Sequence, residues 1–206
     1  KKWYEYNDWW NYCSSGKKGE QATADDIGKI VNLTVNKQVH KVRLIDIDHD
    51  VLSDDTTKKA HCTFEFSNLL SDETGHSLAM FWDVWDIAPA TYNTDFVHSE
   101  GRKTLDGEGN DKKPIRWFEI GAGVPSTKYT KSALEMLPTD LLNCLKRVNK
   151  PIALGQSYNV DNSLYQTKLF ILSSTEISKV TPGYAKEEGT VYKYYANHGG
   201  EASRVK

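Results

Sequence analysis

Apolar and polar positions alternate most regularly between Ile27 and Ile47. Ile30, Leu33 and Val35 mark a strand over residues 27–35. After the polar Asn36-Lys37-Gln38, a partly alternating run from Val39 to Ile47 carries Val42 and Leu44. Two such runs joined by a short polar segment predict a β-hairpin. A third strand is predicted over 60–66, where Cys62, Phe64 and Phe66 share one face at the period of two that a pleated strand imposes. Ahead of the hairpin, residues 6–13 read as a short helix with Asp8 as N-cap and Gly16 as its stop.

Helical spacing returns over 130–148. Ser132 or Thr130 is expected to cap a helix around Ala133, Leu134 and Leu137. Pro138 is expected to open a second helix that runs to Val148, with Leu141, Leu142, Leu145 and Val148 on one face. Lys146, Arg147 and Lys150 then fall at the negative end of its dipole. Residues 164–172 read as a central strand, 175–177 as one turn of helix, and 190–195 as either helix or strand. Leu142 and Phe170 are the expected core contacts of the helix and the late strand.

Between Leu69 and Gly123 no period persists. A structureless stretch of that length is unusual inside a domain, so 69–123 is read as an insertion packed by its own aromatics or as the working surface. The elements do not alternate as βαβ units. The predicted class is therefore α+β, an antiparallel sheet with a few short helices and a long irregular insertion, in a single domain over 1–206.

Composition narrows the class of partner. Six Trp, 11 Tyr and 6 Phe among 206 residues exclude a disordered chain. The longest apolar run, Leu78 to Trp82, falls far short of the ~20 residues a membrane helix needs, so no membrane insertion is expected. Lys and Arg number 26 against 28 Asp and Glu, a balance that argues against nucleic acid. The three cysteines fit neither a zinc site nor a disulfide framework, and three buried thiols are expected in preference to one bridge and a free thiol. The chain begins Lys1-Lys2-Trp3 and ends Arg204-Val205-Lys206, and is expected to be part of a longer polypeptide.

Candidate chemistry is sparse. Asp46, Asp48 and Asp50 alternate at the end of the second strand and would offer oxygens to calcium. The glycine and final glutamate of an EF-hand are missing, so a strand end entering a solvated turn is the favoured reading, and no other cofactor is expected. The six histidines show no HxxxH or HxH spacing for zinc. There is no GxSxG elbow, and Gly121-Ala122-Gly123 lacks the spacing of a phosphate loop. Asp83 and Asp86, beside Trp82 and Trp85, are the pair a carbohydrate-active hydrolase would use. The aromatic set Trp82, Trp85, Tyr92 and Trp117, with Phe96, is the candidate ligand-binding group. Flat rings with polar neighbours bury large area at low entropy cost against a sugar face or a protein. The competing reading is a satellite core under the insertion.

Several segments taken together resemble a domain family of phage structural proteins and gut-bacterial surface proteins. They are Trp9-Trp10 before Gly16-Lys17, the strand end Ile45-Asp46-Ile47-Asp48-His49-Asp50, and Leu137-Pro138-Thr139-Asp140-Leu141-Leu142 with Lys146 to Lys150. The later Thr167 to Ile177 and Glu188 to Tyr195 complete the set. The resemblance implies a C-type-lectin-like fold related to display domains. It further implies a non-catalytic role on a virion or cell surface, with a host-surface glycan or protein and other virion or surface subunits as partners. A ligand-free decoration protein and the carboxylate hydrolase are the alternatives. The chain departs from this pattern at Val124 to Tyr129, where relatives carry Trp and basic residues. Relatives also continue past the position of Lys206 into a Trp-rich segment, so no binding residue is carried over from it.

Overall fold

The computed structural model describes residues 1–15, 20–80, 96–109, 114–120, 125–126, 129–151, 153–154, 159–160, 165–177 and 188–198. After a 3-10 turn at Trp3–Glu5, the described elements are α1 (Trp10–Cys13), β1 (Ile30–Val35), β2 (Gln38–Ile47), β3 (Cys62–Phe66) and β4 (Leu78–Met80). There follow α2 (Glu100–Asp106), β5 (Trp117–Glu119), β6 (Pro125–Ser126), α3 (Ala133–Met136), α4 (Thr139–Cys144) and β7 (Val148–Asn149). The last are β8 (Ala153–Leu154), β9 (Asn159–Val160), β10 (Gln166–Thr167), α5 (Ser174–Ile177) and α6 (Lys193–Asn197). This is a mixed fold of short helices and small sheets. Every described strand pairing is antiparallel: β1-β2-β3, β4-β5-β6, β7 with β10, and β8 with β9. No described helix is long and apolar enough to cross a membrane.

The hairpin forms as the sequence predicts. β1 alternates exposed and buried residues, and Val35 pairs with Gln38 across a two-residue turn. Asn36 and Lys37 both take positive φ, 51° and 63°. Two consecutive left-handed residues are what a tight hairpin turn needs to match the strand twist.

β2 is the strand on which the rest packs. Its register to β3 shifts between Leu44 and Asp46, a bulge that leaves Ile45 without an opposite residue. Beyond that point alternation stops, and Leu44, Ile45, Asp46 and Ile47 are all buried. Both faces of this end of the strand are covered. Val42, Leu44 and Ile47 join Trp3, Trp9, Leu137 and Leu141 in the main core, whereas Ile45 packs with Ile177, Tyr192 and Tyr195. On that second side Tyr194 lies over the Arg43 guanidinium at 4.5 Å, and Arg43 pairs with Glu65.

Several expectations need correction. Asp8 does not cap α1: the N-cap is Trp9, while the Asp8 carboxylate accepts from the Asn11 amide side chain. Gly16 lies outside the described residues. Ser132 does cap α3, in a reciprocal box with Glu135. α4, however, ends at Cys144, and Val148 is in a strand paired with Thr167. Among the described residues of the predicted late strand only Gln166–Thr167 is a strand, because the Thr167 hydroxyl bonds both the Leu169 amide and carbonyl and turns the chain. Leu142 and Phe170 are half-buried and pack at cluster margins. The described cysteines are free; Cys13 is buried, Cys62 and Cys144 half-buried. Within 69–123 the chain builds β4, α2 and β5 around a second core of Leu78, Phe96, Leu105, Trp117 and Tyr165.

Leu44→Ala should cost about 2–5 kcal/mol by leaving a cavity in a fully covered site, and Leu142→Ala less than about 2 kcal/mol, by denaturant titration. A second expectation concerns His40, which is 1% exposed and edge-on to Phe66. Burial pushes its pKa below the ordinary 6.5, only partly opposed by the Leu69 and Val35 carbonyls. The fold therefore prefers the neutral ring, and stability that is complete above pH 6.5 is lost as pH falls below it. In His40→Leu that part of the pH dependence should disappear from thermal unfolding curves.

Candidate functional site

At the end of β2 the sequence offered Asp46, Asp48 and Asp50 as calcium ligands, with a solvated turn as the favoured reading. The three carboxylates are engaged in three different directions. Asp46 is buried; its Oδ2 lies 2.8 Å from His49 Nδ1 and accepts from the Lys193 backbone N–H at 2.9 Å. Burial alone would raise its pKa, but His49 and the Lys193 and Ile47 amides hold it below the ordinary value. Asp48 sits at φ 51° with an exposed side chain, 3.0 Å from His61 Nδ1. Asp50 is buried and faces inward, where Oδ2 accepts from the Thr63 hydroxyl at 2.6 Å and Oδ1 from Tyr192 at 2.8 Å. The three therefore share no centre, and the described residues hold no group of three or more side chains placed for a metal.

What Asp50 meets is an amine. Lys150, just past β7, is 3% exposed and donates to Asp50 Oδ1 at 3.0 Å, to the Tyr192 hydroxyl at 2.7 Å, and to Glu176 Oε1 of α5. The Phe170 ring centre lies 4.0 Å from its Nζ and that of Tyr192 5.2 Å. Desolvation pushes the Glu176 carboxyl above its ordinary pKa despite Lys150, and the Tyr192 phenol above its own, helped by the charges of Glu176 and Asp50. His49 stacks on Tyr192 and closes the outer side.

The candidate aromatic set divides. Trp82, Trp85 and Tyr92, like Asp83 and Asp86, lie outside the described residues. Trp117 is 2% exposed, and its indole donates to the Lys131 carbonyl. It belongs to the second core with Phe96, so its ring is not offered to a ligand in this structure.

A different aromatic group stands at the surface. Trp9 is buried in the main core, but its neighbour Trp10 is half-buried, because adjacent positions on one helical turn point about 100° apart. Trp10 separates two clefts. One is apolar, about 160 Å³, and reaches inward past Phe64, Leu141 and Cys144. The other is more polar, about 390 Å³, with Tyr4, Tyr6, Asn7, Asn32 and Thr34 around it. Tyr6 stacks on Tyr12 at 3.9 Å and donates its hydroxyl to Glu20. The Trp10 indole N–H is buried and has no hydrogen-bond partner among the described residues. The sequence signal for this rim was the density of aromatics in residues 3–12.

No protein-family model, curated protein or solved structure matches the chain.

One test follows from the amine site. Gly189 has φ +91°, and a Cβ there would lie 2.8 Å from Glu176 Cγ. Gly189→Ala should lower stability by about 1–3 kcal/mol in chemical denaturation, whereas an alanine at the equally left-handed Gly75, whose nearest neighbour is Gln38 at 3.7 Å, carries only the backbone strain.

Proposed function

We propose that the chain is a non-catalytic recognition module, C-type-lectin-like in its architecture, displayed on a virion or cell surface and binding a host-surface glycan or protein. The sequence resemblance supports the fold family, the location and the association with other virion or surface subunits. The observation that carries the binding role is Trp10. A half-exposed ring bordered by Tyr4 and Tyr6, with Asn7, Asn32 and Thr34 alongside, pairs apolar faces with short polar side chains. Its N–H is buried and has no hydrogen-bond partner among the described residues, so the ring face, not the nitrogen, is what it presents to a ligand.

The measurement is a glycan array followed by titration of the hits against variants. Trp10→Ala removes the ring that lines both clefts, and Tyr6→Ala removes a rim ring. Each should weaken binding by on the order of tenfold or more, as for aromatic contacts at a binding centre. Hits that both variants bind as well as the parent would place the ligand elsewhere, and an array without reproducible hits would overturn the glycan reading.

A further inference from the structure

We propose that Lys150 and Asp50 condense with each other to form an intramolecular isopeptide bond, with Glu176 as the general acid–base of the reaction. This does not rest on the recognition reading.

The arrangement contains each part the reaction needs. The nucleophile, Lys150 Nζ, is hydrogen-bonded to Asp50 Oδ1 at 3.0 Å, which holds the amine against the carboxyl whose carbon it attacks. A second carboxyl, Glu176 Oε1, is hydrogen-bonded to the same Nζ, within reach to move its proton. Two hydroxyls aim at the carboxyl under attack: Thr63 donates to Oδ2 and Tyr192 to Oδ1. The side chains of Lys150, Asp50 and Glu176 are only 3%, 4% and 2% exposed. The Phe170 and Tyr192 rings flank the amine, so bulk water is excluded from the reacting atoms.

The step balances without an oxidant or co-reactant. Proton transfer across the hydrogen bond turns the ion pair into amine and carboxylic acid. The Nζ lone pair forms a bond to Asp50 Cγ, and the charge that develops on Oδ2 is met by the Thr63 hydroxyl. Glu176 takes one proton from Nζ and returns it to the departing Oδ1 hydroxyl, beside which Tyr192 already donates. The Cγ–Oδ1 bond breaks, one water leaves, and Glu176 ends in the state in which it began. The product is an amide in place of two charges, joining positions 100 residues apart.

A buried lysine between two carboxylates is also what a plain ion pair looks like, and mass distinguishes the two. The freshly purified chain should weigh one water less than its sequence, and proteolysis should release a branched peptide joining the segment with Lys150 to the segment with Asp50. Glu176→Gln, which keeps size and polarity but cannot carry the proton, should return the full mass while circular dichroism still shows a folded chain. Lys150→Arg should do the same. A parent chain at its full mass overturns the proposal. So does a water loss that maps elsewhere, for example to a succinimide at Asp106-Gly107. A bond that survives Glu176→Gln overturns the role given to Glu176, and a branch mapped to Glu176 overturns the choice of Asp50 as partner.

Discussion

An ammonium group among aromatic rings is tolerable only if carboxylates are buried with it, since an unpaired charge in an apolar interior costs several kcal/mol. That constraint organises one side of this molecule. Lys150 draws Asp50 from the end of β2, Glu176 from α5 and Tyr192 from the approach to α6 into one enclosure. Backbone bonds then hold each segment in place: the Ala60 N–H to the Asp50 carbonyl, Lys150 to Tyr165, and Tyr192 to Glu176. A one-residue slip of β2 would reverse its faces and withdraw Asp50. The amine would then face a single carboxylate. Register errors are therefore penalised here by charge as well as by lost apolar contact, and the bulge at Ile45 is what brings the strand end to this position.

Where the sequence was legible, one face of an element was wet and the other dry. β1 shows this alternation directly, and the Asn36-Lys37 turn and the Ser132–Glu135 cap have local chemistry that can be read within four residues. α2 was invisible for the opposite reason. Glu100, Arg102, Thr104 and Asp106 are all buried along with Leu105, and Arg102 reaches Asp106 and Glu108 within its own segment. With polar residues turned inward there is no apolar stripe to detect. The extension of α4 to Val148 failed more simply. The spacing of Leu141, Leu145 and Val148 suits a helix, but Leu145 has extended backbone and Val148 is required by Thr167.

The acidic run illustrates what a linear reading can and cannot supply. It located a cluster of carboxylates at a strand end, and Asp50 is indeed at the centre of a buried, multiply bonded site. The favoured reading, a strand end entering a solvated turn, missed the buried partner of Asp50, because the cation lies 100 residues away in a stretch whose local pattern pointed to a helix terminus. Alternation also misled. A strand alternates its side chains, so successive odd or even positions share a face only while the strand continues, and here the left-handed Asp48 ends it between the first carboxylate and the last.

The aromatic content has to be apportioned before it carries functional meaning. Trp3, Trp9, Trp117, Tyr165 and Tyr192 are buried, and the polar atoms of Trp3, Trp9 and Trp117 are satisfied by Asp26, Asn32 and Lys131 respectively. These rings are structural: their area stabilises the cores, and their N–H groups tie distant segments. Trp10 differs on both counts, being half-buried and unbonded at nitrogen among the described residues. A ring that served only packing would gain from being covered or from having its N–H satisfied by the chain itself, as its neighbour Trp9 does through the Asn32 carbonyl. Two adjacent tryptophans on one short helix thus meet different surroundings, with Trp9 tying the helix to the sheet through the Asn32 carbonyl and Trp10 lining the two clefts.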